Sequence, residues 1–354
     1  MTSVDLSGDG QTLAPIAETE ATDHVADRPA ILEIRDLRVT FPTESGDVQA
    51  VRGVDVTVHE GELLGVVGES GSGKSVTFLA AMGLLPKSAK VEGSVKIRGQ
   101  ELIGEKRKNL QRARGKRIAM IFQDPLSALN PTHKVGSQVA EMVRSHQDLS
   151  KELSAKRAVE LLEMVGIPQP ATRARQYPHE FSGGMRQRVM IAMAIANDPE
   201  VLIADEPTTA LDVTVQAQIL EVIQRIQKEL GTAVVFITHD LGVVARIADR
   251  LQVMYAGRAV ERGEVRDLFT RPTHPYTKGL LASLPALGRA RLTPIPGAPP
   301  NMLAPPSGCA FRARCAFAIE ACAGEIPELE PFGVVETACI RAAELLDLTV
   351  GEAS

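Results

Sequence analysis

The stretch Leu63-Leu64-Gly65-Val66-Val67-Gly68-Glu69-Ser70-Gly71-Ser72-Gly73-Lys74-Ser75 is an apolar run that ends in a complete G-x-x-x-x-G-K-S loop. A buried strand turning through glycines into a helix, here Val76 to Leu85, aims several backbone N–H groups and the positive end of a helix dipole at one point. That point suits an anionic phosphate chain. Gly68, Gly71 and Gly73 let the backbone come close, and Glu69, Ser70, Ser72 and Val76 complete the cradle. Lys74 reaches β- and γ-phosphate oxygens as a point charge, and the Ser75 hydroxyl is placed to hold the Mg²⁺ that bridges them. The motif predicts a nucleoside triphosphate as ligand and leaves the task open.

Two further segments narrow the task. Val201-Leu202-Ile203-Ala204-Asp205-Glu206 is an apolar run closed by two carboxylates, the pattern of a buried parallel strand emerging beside the triphosphate. Asp205 is placed to hold Mg²⁺, and Glu206 to align an attacking water. In Phe181-Ser182-Gly183-Gly184-Met185-Arg186-Gln187-Arg188, followed by apolar residues to Ala196, Ser182 reads as an N-cap and the paired glycines leave the backbone unshielded. A glycine turn before a buried helix explains the apolar part. It does not explain a second anion-binding helix start in a chain with one phosphate loop.

With these motifs in this order, the chain resembles the nucleotide-binding subunits of ABC transporters over about residues 31–272. The resemblance implies an α/β fold: a RecA-like body with a β-rich N-terminal subdomain, and a helical subdomain inserted at about 125–198. It implies that Ser182, Gly183 and Gly184 contact the γ-phosphate of ATP bound to the other subunit of a head-to-tail dimer. Gln123, in Ile121-Phe122-Gln123-Asp124-Pro125, matches a glutamine that senses Mg²⁺ and the water and couples them to a membrane partner. His239 matches a switch histidine on the γ-phosphate, and Asp212 an aspartate at the dimer seam. Phe41 sits where the family stacks an aromatic ring on adenine, although the loop Pro42 to Gln49 lengthens that region. Glu206, His239, Lys74 and Gln123 are thus the catalytic set.

Composition sets the frame. The chain has 354 residues, 44% of them apolar, enough for one large or two medium domains with a real core. Its net charge of −5 is localised, because residues 1–30 carry Asp5, Asp9, Glu18, Glu20, Asp23 and Asp27 against Arg28 alone. That segment lacks apolar periodicity and reads as a disordered acidic tail, not a signal peptide. No apolar run approaches the roughly 18 residues of a membrane helix, so a transport role requires separate membrane-spanning subunits. The basic stretch Lys106, Arg107, Lys108, Arg112, Arg114, Lys116, Arg117 lacks interleaved aromatics and reads as a solvated helical face, not a nucleic-acid surface. Strands are expected at Ile31 to Val39, Ala50 to Val58, Gly93 to Arg98 and Ile118 to Phe122, and helices from Val135 to Ala196. Leu153, Val159, Leu161, Leu162, Met164 and Val165 fall at helical spacing within that region.

All four cysteines, Cys309, Cys315, Cys322 and Cys339, fall near the end of the chain. In a reducing cytosol such a cluster favours metal, and four thiolates suit Zn²⁺ or an iron–sulfur cluster, with buried free thiols as the plain alternative. His274-Pro275-Tyr276-Thr277-Lys278-Gly279-Leu280-Leu281, the Pro-rich stretch Pro294 to Pro306 and Gly308-Cys309-Ala310-Phe311-Arg312-Ala313-Arg314-Cys315 resemble the C-terminal extension of dipeptide and oligopeptide transporter ATPases. So does Asp124-Pro125-Leu126-Ser127-Ala128-Leu129-Asn130-Pro131. The extension is placed at 273–354. Some members of that group hold a [4Fe-4S] cluster on these cysteines, which implies the same here with a folding role. The resemblance further implies a second ATPase subunit, usually a paralogue, two permease subunits and an extracytoplasmic peptide-binding protein. The location it implies is peripheral, on the cytoplasmic side of the inner membrane. Rival readings are an importer ATPase for nickel or another cargo, a soluble ABC-type ATPase working on nucleic acid or ribosomes, and a non-hydrolysing nucleotide sensor. Against the second stands the lack of an inserted coiled coil or second ATPase half, and against the third stand Glu206 and His239.

Overall fold

The computed structural model describes residues 25–209, 211–284 and 294–346. Most of the expected acidic tail, residues 1–24, lies outside the described residues, as does 347–354. The rest of the expected tail is ordered by packing. A single 3₁₀ turn, Val25–Asp27, precedes β1, and His59 Nδ1 lies 2.7 Å from Arg28 O.

Strands β1 (Ala30–Thr43) and β2 (Gly46–His59) form a hairpin of alternating burial, with Leu32, Ile34, Leu37 and Val39 facing the core. The expected loop Pro42 to Gln49 is the tip of this hairpin: Phe41 pairs with Val48 and Thr43 with Gly46, whose φ of 126° makes the turn. Next come β3 (Leu63–Val67), α1 (Lys74–Ala81), β4 (Lys90–Ile97), β5 (Gln100–Glu101), α2 (Arg107–Ala113) and β6 (Ile118–Ile121). Strands β2-β1-β4-β5 make an antiparallel sheet of four. The basic stretch only partly lies on a solvated face. Lys106, Arg107, Lys108, Arg112 and Lys116 are exposed, whereas Arg114 Nε donates to Met82 O at 2.8 Å and Arg117 NH2 to Ile97 O at 2.7 Å. These two arginines satisfy carbonyls at strand and helix ends, which a face-counting argument on α2 alone does not reveal.

From Pro125 the chain turns helical: α3 (Pro125–Ala128), α4 (Val135–Arg144), α5 (Lys151–Met164), α6 (Pro170–Arg173) and α7 (Gly183–Ala194). The buried side of α5 is Ser154, Ala158, Leu161 and Leu162, an i, i+4, i+7, i+8 stripe, while Leu153 is 55% exposed. Leu153 falls at helical spacing as expected, but it stands one position off the buried stripe. Val139, Val143, Leu161, Leu162, Val189 and Ile191 pack into one core with the sheet residues Ile121, Leu202 and Ala204, so the helical insert and the sheet share their interior. Each of these Val, Leu and Ile side chains contributes about 1.5–3 kcal/mol on burial.

The chain then returns to strands: β7 (Val201–Asp205), α8 (Val213–Leu230), β8 (Ala233–Thr238), α9 (Leu241–Ile247), β9 (Arg250–Tyr255), β10 (Arg258–Glu264), α10 (Val265–Thr270) and α11 (Pro275–Ala282). Near the end lie β11 (Glu330–Phe332), β12 (Val335–Thr337) and α12 (Ala342–Leu345). The main sheet has the order β11-β12-β10-β9-β3-β8-β7-β6. Its middle is parallel, and β3, β7 and β8 are buried at every residue, which is why they read as unbroken apolar runs. The cysteine-bearing segment is no separate body. Its β12 pairs with β10, Glu261 opposite Thr337, and continues the main sheet by two strands. At the other end of β3, the fully buried Glu62 accepts from Arg250 NH1 at 3.0 Å and from His59 N at 2.6 Å, tying the β2–β3 turn to β9.

Candidate active site

The C-terminal ends of the parallel strands β3, β7 and β8 meet at residues 68–75, 205–206 and 239, where ligands of open α/β sheets bind. Glycine is required in the loop by geometry. A Cβ on Gly68, at φ +153°, would lie 2.1 Å from Met254 O, and one on Gly73, at φ +96°, would lie 2.6 Å from Ala50 O. Gly73 is the N-cap of α1, whose first N–H groups have no carbonyl of their own helix to bind. Lys74 folds into the nest, with Nζ 2.7 Å from Gly68 O and 3.0 Å from Glu69 O. Burial lowers its pKa, against the opposing pull of Glu206, Asp205 and Glu69. Val76 differs from the rest of the loop set: its side chain packs against the core, leaving only its main chain to the site.

Asp205 ends β7 and accepts from Ser75 Oγ at 2.7 Å. Burial raises the Asp205 pKa, and the Ser75 hydrogen bond opposes that rise. A hydroxyl and a carboxylate meeting in this way are the hard oxygen donors a hydrated Mg²⁺ takes, so the residues fit that ion. Glu206 adopts φ +46°, a left-handed conformation that costs a residue with a Cβ about 1–2 kcal/mol. It is held there by its own N–H to Ile237 O at 2.9 Å and by Thr209 N to Glu206 O at 3.1 Å. The twist brings its carboxylate among polar partners. Thr209 Oγ1 and Gln123 Nε2 donate to Oε2 at 2.9 and 3.2 Å, and His239 Nδ1 stands 3.5 Å from Oε1. The ring of His239 is largely exposed.

Lys74, Ser75, Gln123, Asp205, Glu206 and His239 are therefore brought together. Ser182, Gly183, Gly184 and Asp212 are gathered at a second place. Ser182 caps α7, accepting from Met185 N at 3.3 Å, and Asp212 caps α8, accepting from Val215 N at 3.0 Å. The first turns of the two helices meet at Val215: a Cβ on Gly184 would lie 2.4 Å from Val215 Cγ1, whereas one on Gly183 meets nothing within 4 Å. Among the described residues no hydrogen bond or ion pair joins this second place to residues 68–75. Phe41 is half-buried against the core, on the hairpin whose Ala50 abuts Gly73.

The four cysteines all line one cavity, together with Phe311 and Phe317. Burial raises the thiol pKa of Cys309, and those of Cys315 and Cys339 to about 11. The four sulfurs line this one cavity, but among the described residues no three of them stand at ligand spacing, so their placement does not by itself fit a thiolate-bound metal. Thr209 escaped the sequence reading, because a threonine in Glu206-Pro207-Thr208-Thr209 carries no motif of its own. So did Tyr276 and Arg314, whose contact with Glu69 spans more than half of the chain.

Residues 51–209 match the family model described as ABC transporter, and residues 260–322 that described as oligopeptide/dipeptide transporter, C-terminal region. The oligopeptide transport ATP-binding protein OppD of Bacillus subtilis is 56% identical over 82% of this chain and 82% of its own length. The dipeptide transport ATP-binding protein DppD of the same organism is 53% identical, over 80% of this chain and 86% of its own. The solved dimer of the ATP-binding cassette MJ0796, in a post-hydrolysis state bound to ADP and Pi, superposes with a TM-score of 0.60 at 28% identity. That match covers 67% of this chain and 99% of the cassette. A phosphate loop facing paired strand-end carboxylates, on a chain more than half identical to such a transport protein, places this protein in the ABC transporter family, among its ATP-binding subunits.

Proposed function

We propose that this chain hydrolyses Mg-ATP to power import of dipeptides or oligopeptides through separate membrane permease subunits. The observation that carries the reading is the convergence of Lys74 and Ser75 with Asp205 and Glu206 at one strand-end crevice. Support for the cargo comes from relatives named for oligopeptide and dipeptide transport, and from the match of residues 260–322 to that group's C-terminal region. Among the described residues no helix is long and apolar enough to cross a membrane, in keeping with a subunit that docks on the cytoplasmic side of one.

Lys74 binds β- and γ-phosphate oxygens, and the N–H groups of residues 68–76 orient the chain of phosphates. Ser75 and Asp205 would hold Mg²⁺, with Gln123 as a further oxygen donor, and the ion would supply charge stabilisation to the phosphate oxygens. Glu206 accepts a hydrogen bond from water through Oε1, since Oε2 is engaged by Thr209 and Gln123. His239, 3.5 Å from that oxygen, fixes the water and the γ-phosphate from the other side. Phe41 stacks on adenine. Ser182, Gly183 and Gly184 receive the triphosphate of a second ATPase subunit across a seam that includes Asp212, so ATP joins two chains and its hydrolysis separates them. The Gln123 segment couples that closure to two permease subunits, fed by an extracytoplasmic peptide-binding protein. Cys309, Cys315, Cys322 and Cys339 are the thiolates that would hold a [4Fe-4S] cluster, whose role would be to fold the extension.

Glu206→Gln is expected to keep ATP binding, stop turnover by about 10²- to 10⁴-fold and trap a closed dimer. Near-normal hydrolysis would remove Glu206 from its role. Affinity purification from detergent-solubilised membranes should bring down permease subunits; nucleic acid in their place would overturn the transport reading. Iron analysis and visible absorption of anaerobically purified protein test the cluster, and zinc or no metal would exclude it.

A further inference from the structure

Glu69, inside the phosphate loop, is held from two sides by residues far along the chain. The phenol oxygen of Tyr276, a residue with no exposed surface, accepts the Glu69 N–H at 2.9 Å. The Arg314 guanidinium takes the Glu69 carboxylate with both arms, NH1 to Oε2 at 2.7 Å and NH2 to Oε1 at 2.9 Å. This fork-on-fork pairing is available to arginine and not to lysine. Arg314 is anchored in turn: Nε donates to Pro296 O at 2.8 Å, and the guanidinium carbon lies 5.8 and 6.0 Å from the ring centres of Tyr255 and Phe311. The arginine side chain is 6% exposed and the glutamate 27%, so water screens the pair far less than an ordinary surface ion pair.

The placement matters because Glu69 is a negative charge in a loop that must receive a polyanion. Its own carbonyl accepts from Lys74 Nζ at 3.0 Å, so any turn of the Glu69 peptide moves the lysine that grips phosphate. Tyr276 holds the peptide and Arg314 cancels the charge.

We infer that Tyr276 and Arg314 are positioning residues for the phosphate loop, through which the segment after residue 273 sets nucleotide affinity. The inference rests on residues 68–75 being the triphosphate cradle. Arg314 lies between Cys309 and Cys315, so the fold of the cysteine cavity and the shape of the nucleotide site are mechanically joined.

The test is equilibrium binding of a fluorescent ATP analogue with Mg²⁺ to the purified full-length chain, together with KM and kcat for ATP in the assembled transporter. Arg314→Met is expected to weaken binding about tenfold, with a larger effect on KM than on kcat, and Tyr276→Phe about threefold. Arg314→Lys, which returns the charge without the fork, should recover part of the loss. In a Glu69→Gln background the further cost of Arg314→Met should fall below about twofold, since the charge to be cancelled is gone. An equal cost in both backgrounds, or unchanged affinity in Arg314→Met and Tyr276→Phe, overturns the inference. If Arg314→Met does not fold, unchanged affinity in both Tyr276→Phe and Arg314→Lys overturns it. A wild-type chain that binds no nucleotide overturns the cradle reading as well, while tight wild-type binding with indifferent variants overturns this inference alone.

Discussion

Adding one methyl group to each glycine of the 183–184 pair separates a folding role from an assembly role. At Gly184 the new carbon would stand 2.4 Å from Val215 Cγ1, against an ordinary carbon contact of about 3.5–4.0 Å, so more than an ångström must be absorbed. Val215 lies in the first turn of α8, and a β-branched side chain in a helix has one favoured χ1 rotamer, so it yields little. Overpacking of this kind costs about 1–3 kcal/mol. Alanine returns up to about 1 kcal/mol of helix propensity, for a net loss of about 0–3 kcal/mol. At Gly183 the methyl meets nothing within 4 Å, so only the propensity gain remains and the isolated chain should be as stable as wild type or up to about 1 kcal/mol more. Yet Gly183→Ala should be the more damaging variant for turnover, because that open surface is where the triphosphate of a second subunit is proposed to lie. Urea unfolding of each purified variant measures the first quantity, and ATPase turnover of the assembled transporter carrying the variant measures the second. Full-rate turnover with Gly183→Ala, or an unfolding midpoint lowered as far as that of Gly184→Ala, would refute the reasoning.

Two stability tests probe the scaffold. Arg250→Met leaves the Glu62 carboxylate, 0% exposed, without its cation and should cost about 3–5 kcal/mol in chemical denaturation; a loss under about 1 kcal/mol would contradict the pairing. Burial raises the Glu62 pKa and Arg250 opposes the rise, so in the variant the penalty grows as pH climbs through the folded pKa and eases below it. His274, fully buried with its Nδ1 accepting from Tyr276 N at 3.1 Å, has its pKa lowered by desolvation from 6.5 to about 3. Its stabilisation is complete above pH 6.5 and is lost as pH falls toward 3, at no more than about 1.4 kcal/mol per unit. The stability difference between wild type and His274→Gln should therefore shrink over that window, and a pH-independent difference would exclude the titration.

The phosphate loop, the strand ending in Asp205 and Glu206 and the capped helix at Ser182 were legible because each is local. Loop, strand and helix start are set by the period of apolar residues, by glycine and by a hydroxyl at a cap, all within about a dozen positions. The α/β class follows from the same runs. Tertiary structure decided what depends on neighbours distant in the chain. The extension continues the main sheet, because the edge strand β10 had unpaired backbone groups that β12 satisfies. Pro42 to Gln49 became a hairpin tip because paired strands on both sides leave it no other course. Leu153 faced out because the geometry of α5 against α4 and α7 selected a stripe that misses it. Above all, the clasp of Tyr276 and Arg314 on Glu69 joins residues that no periodicity relates. Proximity in space, created by stacking β9 and the extension beside β3, is what made a carboxylate in the phosphate loop tolerable.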